Sequence, residues 1–277
     1  MAVKHAKQKA ASVPSQRTFS ETILKIGYRF SLPRVFDDFL TMSIAACTQN
    51  LATKKSYYED EYLQTVAYYK DSELRYEFPK AFSQLIREME DRVHESAGND
   101  VLGEFFETHI SKGKNGQFFT PAPLCHFMAS ILFIDRNTTD TKSIETKPLR
   151  ILDPACGSGR MLVAAYKTHG NGHEYYGIDI DRTCVKMTAL NLFLNGMWNS
   201  EVMCANALLP DDFVIAYRIS LLPLGIFKIE EKERSLLWNL HRKSFSTHAT
   251  TSSSNTEFKS IPTNDGKDTD SKQLDLF

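Results

Sequence analysis

The chain has 277 residues, 42% of them hydrophobic and 24% charged, with a formal net charge of −1. This is the composition of an ordinary soluble protein, and balanced charge neither supports nor excludes nucleic-acid binding. No apolar stretch is long enough to span a membrane, and the first residues lack a hydrophobic signal region, so we expect a cytoplasmic protein. Five cysteines without a C-x-x-C pair indicate a reduced protein without a zinc site.

The first part of the chain divides into a basic arm and a helical region. Residues 1–18 are small, polar and basic, which suits either an arm that contacts DNA phosphates or a mobile terminus. Residues 19–110 have helical periodicity, with Pro33 and Pro79 placed to open helices. A tyrosine-rich stretch between these prolines is suited to stacking on bases, but packing between helices is the simpler interpretation.

The most informative stretch is a strand, a glycine turn and a helix around residue 155. Residues 149–152 form an apolar run long enough for a buried strand, and Asp153 ends it. Gly157 and Gly159 then permit positive φ and close approach of a ligand to the backbone, and a helix-forming run follows them. The start of that helix presents unpaired N–H groups, so the turn is a candidate binding site.

The ligand class follows from what the turn contains. It lacks both the longer glycine loop with lysine that cradles phosphates and the G-x-G-x-x-G pattern of dinucleotide sites. An acid before the glycines repels phosphate but can hold an ammonium group, and S-adenosylmethionine is a cofactor of that kind. The stretch resembles the cofactor motif of N6-adenine DNA methyltransferases, especially the modification subunits of type I restriction systems. The residues that carry this resemblance are Asp153, Pro154, Ala155, Cys156, Gly157, Ser158 and Gly159.

The next two strands continue the pattern. Residues 174–179 form the second strand, and Asp179 ends it where doubly wound folds place a carboxylate on ribose hydroxyls. The next residue, Ile180, is also a predicted cofactor contact. The third strand, residues 201–205, leads to Asn206 and Ala207. The resemblance implies an acid at position 206 that accepts from the adenine amino group, and the amide oxygen of Asn206 can do the same.

A companion motif lies upstream. Residues 116–121 resemble the segment that, in this family, closes over the methionine end of the cofactor. Its predicted cofactor contacts are Phe118, Phe119 and Thr120. Thr120 is also a good helix N-cap and Pro121 a good first helical residue, and a helix N-terminus favours a carboxylate such as that of the cofactor. A capped core helix with two buried phenylalanines is the alternative interpretation.

The catalytic part of the family pattern is missing from this sequence. The family holds the target amine with Asn or Asp followed by Pro-Pro and an aromatic residue after the fourth strand, but the chain contains no Pro-Pro pair. Residues 212–216 are the candidate fourth strand, or residues 214–222 form a single buried segment. Tyr217 could stack on a base and Arg218 could hold a phosphate, yet neither can polarise an adenine amine. We therefore predict no catalytic residue in this chain.

These observations predict an α/β fold: a shortened, doubly wound, Rossmann-like S-adenosylmethionine-dependent methyltransferase core over residues 111–243, preceded by the helical region. The expected function is cofactor binding in bacterial DNA modification, with DNA and a further subunit as partners. The alternative is a non-enzymatic scaffold of a mobile element or DNA-maintenance system. Residues 244–277 are predicted to be disordered. Their last five residues resemble a peptide that docks on the replication sliding clamp, and the alternative is a tail without a partner: Gln273, Leu274, Asp275, Leu276 and Phe277.

Overall fold

The computed structural model describes residues 17–50, 53, 56–93, 99–111, 118–131, 148–209 and 211–243. The expected N-terminal helical region is confirmed. Its helices are α1 (Phe19–Gly27), α2 (Leu32–Cys47), α3 (Glu59–Ala67), α4 (Glu77–Asp91) and α5 (Val101–Phe105), with a 3₁₀ turn at Glu73–Tyr76 and a π-helical turn at Phe106–Ser111. Pro33 lies in the first turn of α2 and Pro79 in the first turn of α4, as their fixed φ angle favours.

The second half of the chain alternates strands and helices. The elements are α6 (Ala122–Ile131), β1 (Arg150–Asp153), α7 (Arg160–His169), β2 (Glu174–Asp179), α8 (Arg182–Leu194), β3 (Ser200–Cys204), β4 (Ile215–Leu221), β5 (Leu224–Ile229), a 3₁₀ turn at Lys232–Arg234 and a helix, α9, over residues 236–243. No helix in the described part of the chain combines the length and the apolar character needed to cross a membrane.

The five strands form one sheet in the order β1-β2-β3-β4-β5. Strands β1, β2 and β3 are parallel, whereas β4 runs antiparallel to β3 and pairs with β5 as a hairpin. The α/β class is confirmed, but the winding is simpler than expected. A doubly wound sheet continues on both sides of its first strand, whereas β1 is an edge strand among the described residues.

The fourth strand lies later than residues 212–216 and close to the alternative segment, residues 214–222. It begins at Ile215, not Asp212, and continues to Leu221. Tyr217 is buried in the core, which removes it as a base-stacking residue. Arg218 donates to the Glu201 carboxylate at 2.8 and 3.1 Å, so its guanidinium is already engaged within the sheet.

Side chains alternate between the two faces of the sheet along each strand. Both faces are covered. One face, including Tyr175, Val202 and Ile226, belongs to the same buried cluster as Phe19 of α1, so the helical region and the sheet share a hydrophobic core. The other face packs on Trp238 of α9. This packing fixes the carboxyl ends of β1, β2 and β3 side by side, where ligands bind in α/β folds.

Candidate functional site

The glycine turn has the strand–turn–helix geometry that the sequence predicts. Gly157 has φ = 54° and Gly159 has φ = 81°, in the left-handed region that favours glycine. The turn is tied to the sheet by the Cys156 N–H, which donates to the carbonyl of Ile178 in β2 at 2.9 Å. Helix α7 begins at Arg160, immediately after Gly159. The turn is therefore a rigid junction between two strands and one helix.

The two glycines have different surroundings. A Cβ at Gly157 would lie 2.7 Å from the Phe119 ring, so the upstream aromatic segment packs directly on the turn. A Cβ at Gly159 would lie 2.8 Å from the Thr188 methyl group of α8. Gly157 therefore faces the upstream segment, whereas Gly159 permits close packing between the turn and α8 and lines neither cavity of the site.

Two cavities meet at this turn and form one crevice. The first, of about 400 Å³, is lined by Thr120, Asp153 and the apolar side chains of Leu152, Met128 and Met161. The second, of about 510 Å³, is lined by Asp179, Ile180, Asn206 and Ala207, together with Cys184 and Leu208. The residues common to both cavities are Phe118, Phe119, Pro154, Ala155 and Gly157. Eleven of the twelve predicted cofactor-binding residues thus line the crevice, and Gly159 does not.

Each cavity contains one carboxylate held by backbone N–H groups. Asp153 Oδ1 accepts from the N–H of Ala155 at 3.1 Å. Asp179 accepts from Gly157 N at 2.8 Å through Oδ2 and from Asp181 N at 2.9 Å through Oδ1. Burial raises the pKa of both carboxyl groups, and the backbone N–H donors partly oppose that rise. Carboxylate oxygens accept more than one bond, so both groups keep capacity for a ligand donor.

Asn206 lies at the end of the second cavity. Its amide oxygen accepts from the backbone N–H of Leu208 at 3.0 Å, and its own backbone N–H donates to Asp212 at 2.5 Å. These bonds fix the loop after β3 and leave one lone pair on the amide oxygen. Leu208 is 81% exposed and Ile180 is 73% exposed, so the second cavity has an apolar rim.

Phe119 is positioned by the π-helical turn that follows α5. Its ring stacks on Phe106, with centroids 5.7 Å apart and planes 13° apart. Its N–H donates to Glu107 Oε1 at 2.8 Å. Phe118 next to it is 78% exposed at the mouth of the crevice. The predicted N-cap at Thr120 is displaced by one residue, because α6 begins at Ala122 and the carbonyl of Pro121 accepts its first bonds.

A buried polar network supports the turn from behind, and the sequence analysis did not assign it a role. Asp100, at the N-cap of α5, accepts from Ser158 Oγ at 2.5 Å, from Arg160 Nε at 2.9 Å and from Asn191 Nδ2 at 2.8 Å. Arg160 also donates to the carbonyl of Thr120 at 3.0 Å and to Glu107 Oε2 at 3.1 Å. The network therefore joins α5, the upstream segment and α7 at the crevice. A signal was available, because Arg160 directly follows the second glycine and two acids flank α5 in the sequence.

Comparisons with known proteins find matches over the part of the chain that forms the crevice. Residues 97–223 match the family model for N-6 DNA methylase. The type I restriction enzyme MjaVII methylase subunit of Methanocaldococcus jannaschii is 25% identical over 127 residues, which cover 43% of this chain and 20% of that protein. The type II methyltransferase M.MamI of Microbacterium ammoniaphilum is 31% identical over 119 residues, which cover 37% and 32%. The match therefore spans between a fifth and a third of these curated relatives.

A structural comparison gives a weaker likeness. The crystal structure of the type I restriction-modification system methyltransferase subunit from Streptococcus thermophilus has a TM-score of 0.32 and 15% sequence identity. The alignment covers 66% of this chain and 56% of that one. At this score the likeness adds nothing to the sequence match.

Proposed function

We propose that the crevice binds S-adenosylmethionine for DNA adenine modification, on the premise that residues 97–223 match the family model for N-6 DNA methylase. The observation that carries the proposal is a crevice in two lobes, with Asp153 in one lobe and Asp179 in the other, joined at Gly157. The cofactor likewise has a methionine end and an adenosine end. When bound, it supplies an electrophilic methyl group on sulfur.

The lining suits each end of this cofactor. Asp153 would hold the ammonium group, and Thr120 lies in the same lobe on the side assigned to the methionine carboxylate. Asp179 would accept from the ribose hydroxyls, and Asn206 from the adenine amino group. Phe118 and Phe119 would cover the ligand.

The charges of the lining disfavour a cofactor that carries phosphates. Among the described residues that line the two lobes, Arg160 is the only lysine or arginine. Its guanidinium is held by Asp100, Glu107 and the carbonyl of Thr120. Two carboxylates, together with a guanidinium that is already paired, give the crevice a negative potential. This potential repels phosphate groups and attracts a cationic sulfonium cofactor.

Methyl transfer by this chain alone does not follow from cofactor binding. The sequence has no Pro-Pro pair, and β4 lies on the far side of β3 from the β1 edge. The residues after β4 enter the β4–β5 hairpin, so they do not supply an acceptor for an adenine amine at the crevice. We propose that a further polypeptide supplies the catalytic and DNA-reading elements.

The position of β4 also favours a second candidate function, that of a non-enzymatic scaffold in DNA maintenance. The proposed clamp-binding peptide at residues 273–277 lies outside the described residues. Deletion of these five residues abolishes co-elution with a sliding clamp if the peptide is the anchor, and unchanged co-elution excludes that role.

The primary test is calorimetric titration of the full chain with S-adenosylmethionine. We expect saturable binding, and Asp179→Asn should weaken it by roughly tenfold or more, because a hydrogen bond to a charged group contributes about 1.5–3 kcal/mol. Asp60→Ala, on the acidic first turn of α3 and outside the crevice, is the control and should bind normally. Absence of binding by a folded wild-type chain refutes the proposal and favours the scaffold.

A further inference from the structure

Strand β1 has an unpaired edge that is only two residues long. The carbonyl of Leu149 accepts from Glu174 N at 2.8 Å, so residues 149, 151 and 153 direct their backbone groups toward β2. Arg150 and Leu152 therefore direct their N–H and C=O groups away from the sheet. Neither has a backbone partner among the described residues. Pro148 and Pro154 flank this stretch in the sequence, and neither has an N–H.

This edge is symmetric about Ile151. Arg150 and Leu152 lie one residue to each side of Ile151, and the two prolines lie three residues to each side. If a second copy pairs antiparallel with its two-fold axis at Ile151, Arg150 of each copy faces Leu152 of the other. Such pairs exchange both backbone hydrogen bonds, so all four outward groups of each copy are satisfied. The flanking prolines have no N–H that would need an acceptor in this pairing.

An apolar helix face adjoins this edge. Helix α6 packs its small residues on α7, and its larger apolar residues form an exposed stripe at spacings of three and four. The stripe residues are 41–61% exposed: Leu124, Phe127, Met128 and Ile131. Met128 and Leu152 line the same cavity, and Leu152 is itself 46% exposed. The helix face and the strand edge are therefore one continuous patch, of a kind that marks an interaction surface.

The charge and size of the patch fit a second copy of the chain. Its charged residue on β1, Arg150, is neutralised by Glu174 at 2.9 Å, so two copies meet without strong repulsion. The five half-exposed side chains offer on the order of 400–500 Å² per copy, and about 1,000 Å² in two copies is the lower limit for a specific interface. Backbone pairing at β1 adds to this area. A two-fold symmetric dimer, in which both copies contribute the same patch, is also the commonest kind of oligomer.

We infer that two copies of this chain associate through antiparallel β1 edges and the apolar face of α6, forming a ten-stranded sheet. This inference does not rest on the proposed function, because it is argued from backbone groups and exposed apolar side chains, although Met128 and Leu152 also line the first lobe of the crevice. Because the surface is near the lower size limit for a specific interface, we expect the dimer to be populated at high chain concentration and to dissociate on dilution.

Cysteine cross-linking tests the register. Arg150→Cys and Leu152→Cys proteins are mixed and oxidised, and a covalent dimer is expected from the mixture alone. Opposite residues lie about 5.5 Å apart between Cα atoms, within disulfide range, whereas 150 to 150 or 152 to 152 is about 8–9 Å, beyond it. The chain as it stands is the background control, since four of its five cysteines are buried. Equal cross-linking of either variant alone refutes this register.

Sedimentation of the full chain up to about 200 µM tests the association itself, since an interface near the lower size limit dissociates readily on dilution. Phe127→Glu should shift the chain to monomer with unchanged thermal unfolding, because the side chain is exposed. Leu63→Glu, on the exposed side of α3, is the matched control and should remain dimeric. A wild-type monomer throughout overturns the inference. An unchanged dimer in Phe127→Glu overturns it as well.

Discussion

Gly157→Ala tests whether the upstream aromatic segment packs on the glycine turn. The new Cβ would lie 2.7 Å from two atoms of the Phe119 ring, about 1 Å inside ordinary carbon contact. The ring cannot move freely, because it stacks on Phe106 and the backbone N–H of Phe119 donates to Glu107 Oε1. The substitution therefore either displaces Phe119 or distorts the turn.

The expected cost has two parts. A non-glycine residue at φ = 54° costs roughly 1–2 kcal/mol, and overpacking of the ring costs about 1–3 kcal/mol. The sum, roughly 2–5 kcal/mol, lowers the melting temperature by about 5–15 °C for a chain of this size. S-adenosylmethionine affinity should fall as well, since Gly157 and Phe119 border both lobes of the crevice.

The assay is thermal unfolding followed by circular dichroism, with calorimetric titration of the cofactor. Gly196→Ala is the matched control, because Gly196 has φ = 70° but its Cβ would meet nothing closer than 3.9 Å. This variant should lose only the stability that corresponds to the backbone conformation. Phe119→Ala combined with Gly157→Ala should recover the overpacking part. If Gly157→Ala is no more destabilising than Gly196→Ala, the close packing of Phe119 on the turn is wrong.

Three further substitutions probe separate parts of the molecule. Asp153→Asn keeps an acceptor for Ala155 N but removes a carboxyl group whose pKa is raised by burial. Calorimetry should show at least tenfold weaker cofactor binding, while the melting temperature stays the same or rises. In the wild type, affinity should be present above that raised pKa and lost as pH falls through it, and a pH-independent affinity contradicts the ammonium contact. Asp100→Asn places an amide donor in the Arg160 network and should cost roughly 2–4 kcal/mol in denaturant unfolding, with weaker cofactor binding, and unimpaired binding would remove this network from the site. Glu201→Ala leaves Arg218, Ser235 Oγ and the first turn of α9 without their acceptor, and should cost a similar free energy while the remaining folded protein binds cofactor normally.

The sequence by itself determined the local units of the site. Strand β2 has the predicted bounds, and the turn at Gly157 and Gly159 joins a strand to a helix as predicted. Asp181 caps α8 by accepting from Thr183 N at 2.8 Å. These features depend on φ angles, capping and periodicity within about ten residues, so the chain specifies them without reference to distant segments.

Tertiary structure decided what the local signals leave open. Whether the segment after residue 212 pairs with β1 or β3 depends on packing across the sheet, and it joined β3 in the antiparallel direction. The side chain of Asp100 reaches Ser158 and Arg160 because α5 packs against α8 beneath the turn, although about sixty residues separate them in the chain. Gly159 is required for contact with Thr188, not for the crevice. Strand partners and buried polar networks are set by long-range packing free energy, which no short stretch of sequence contains.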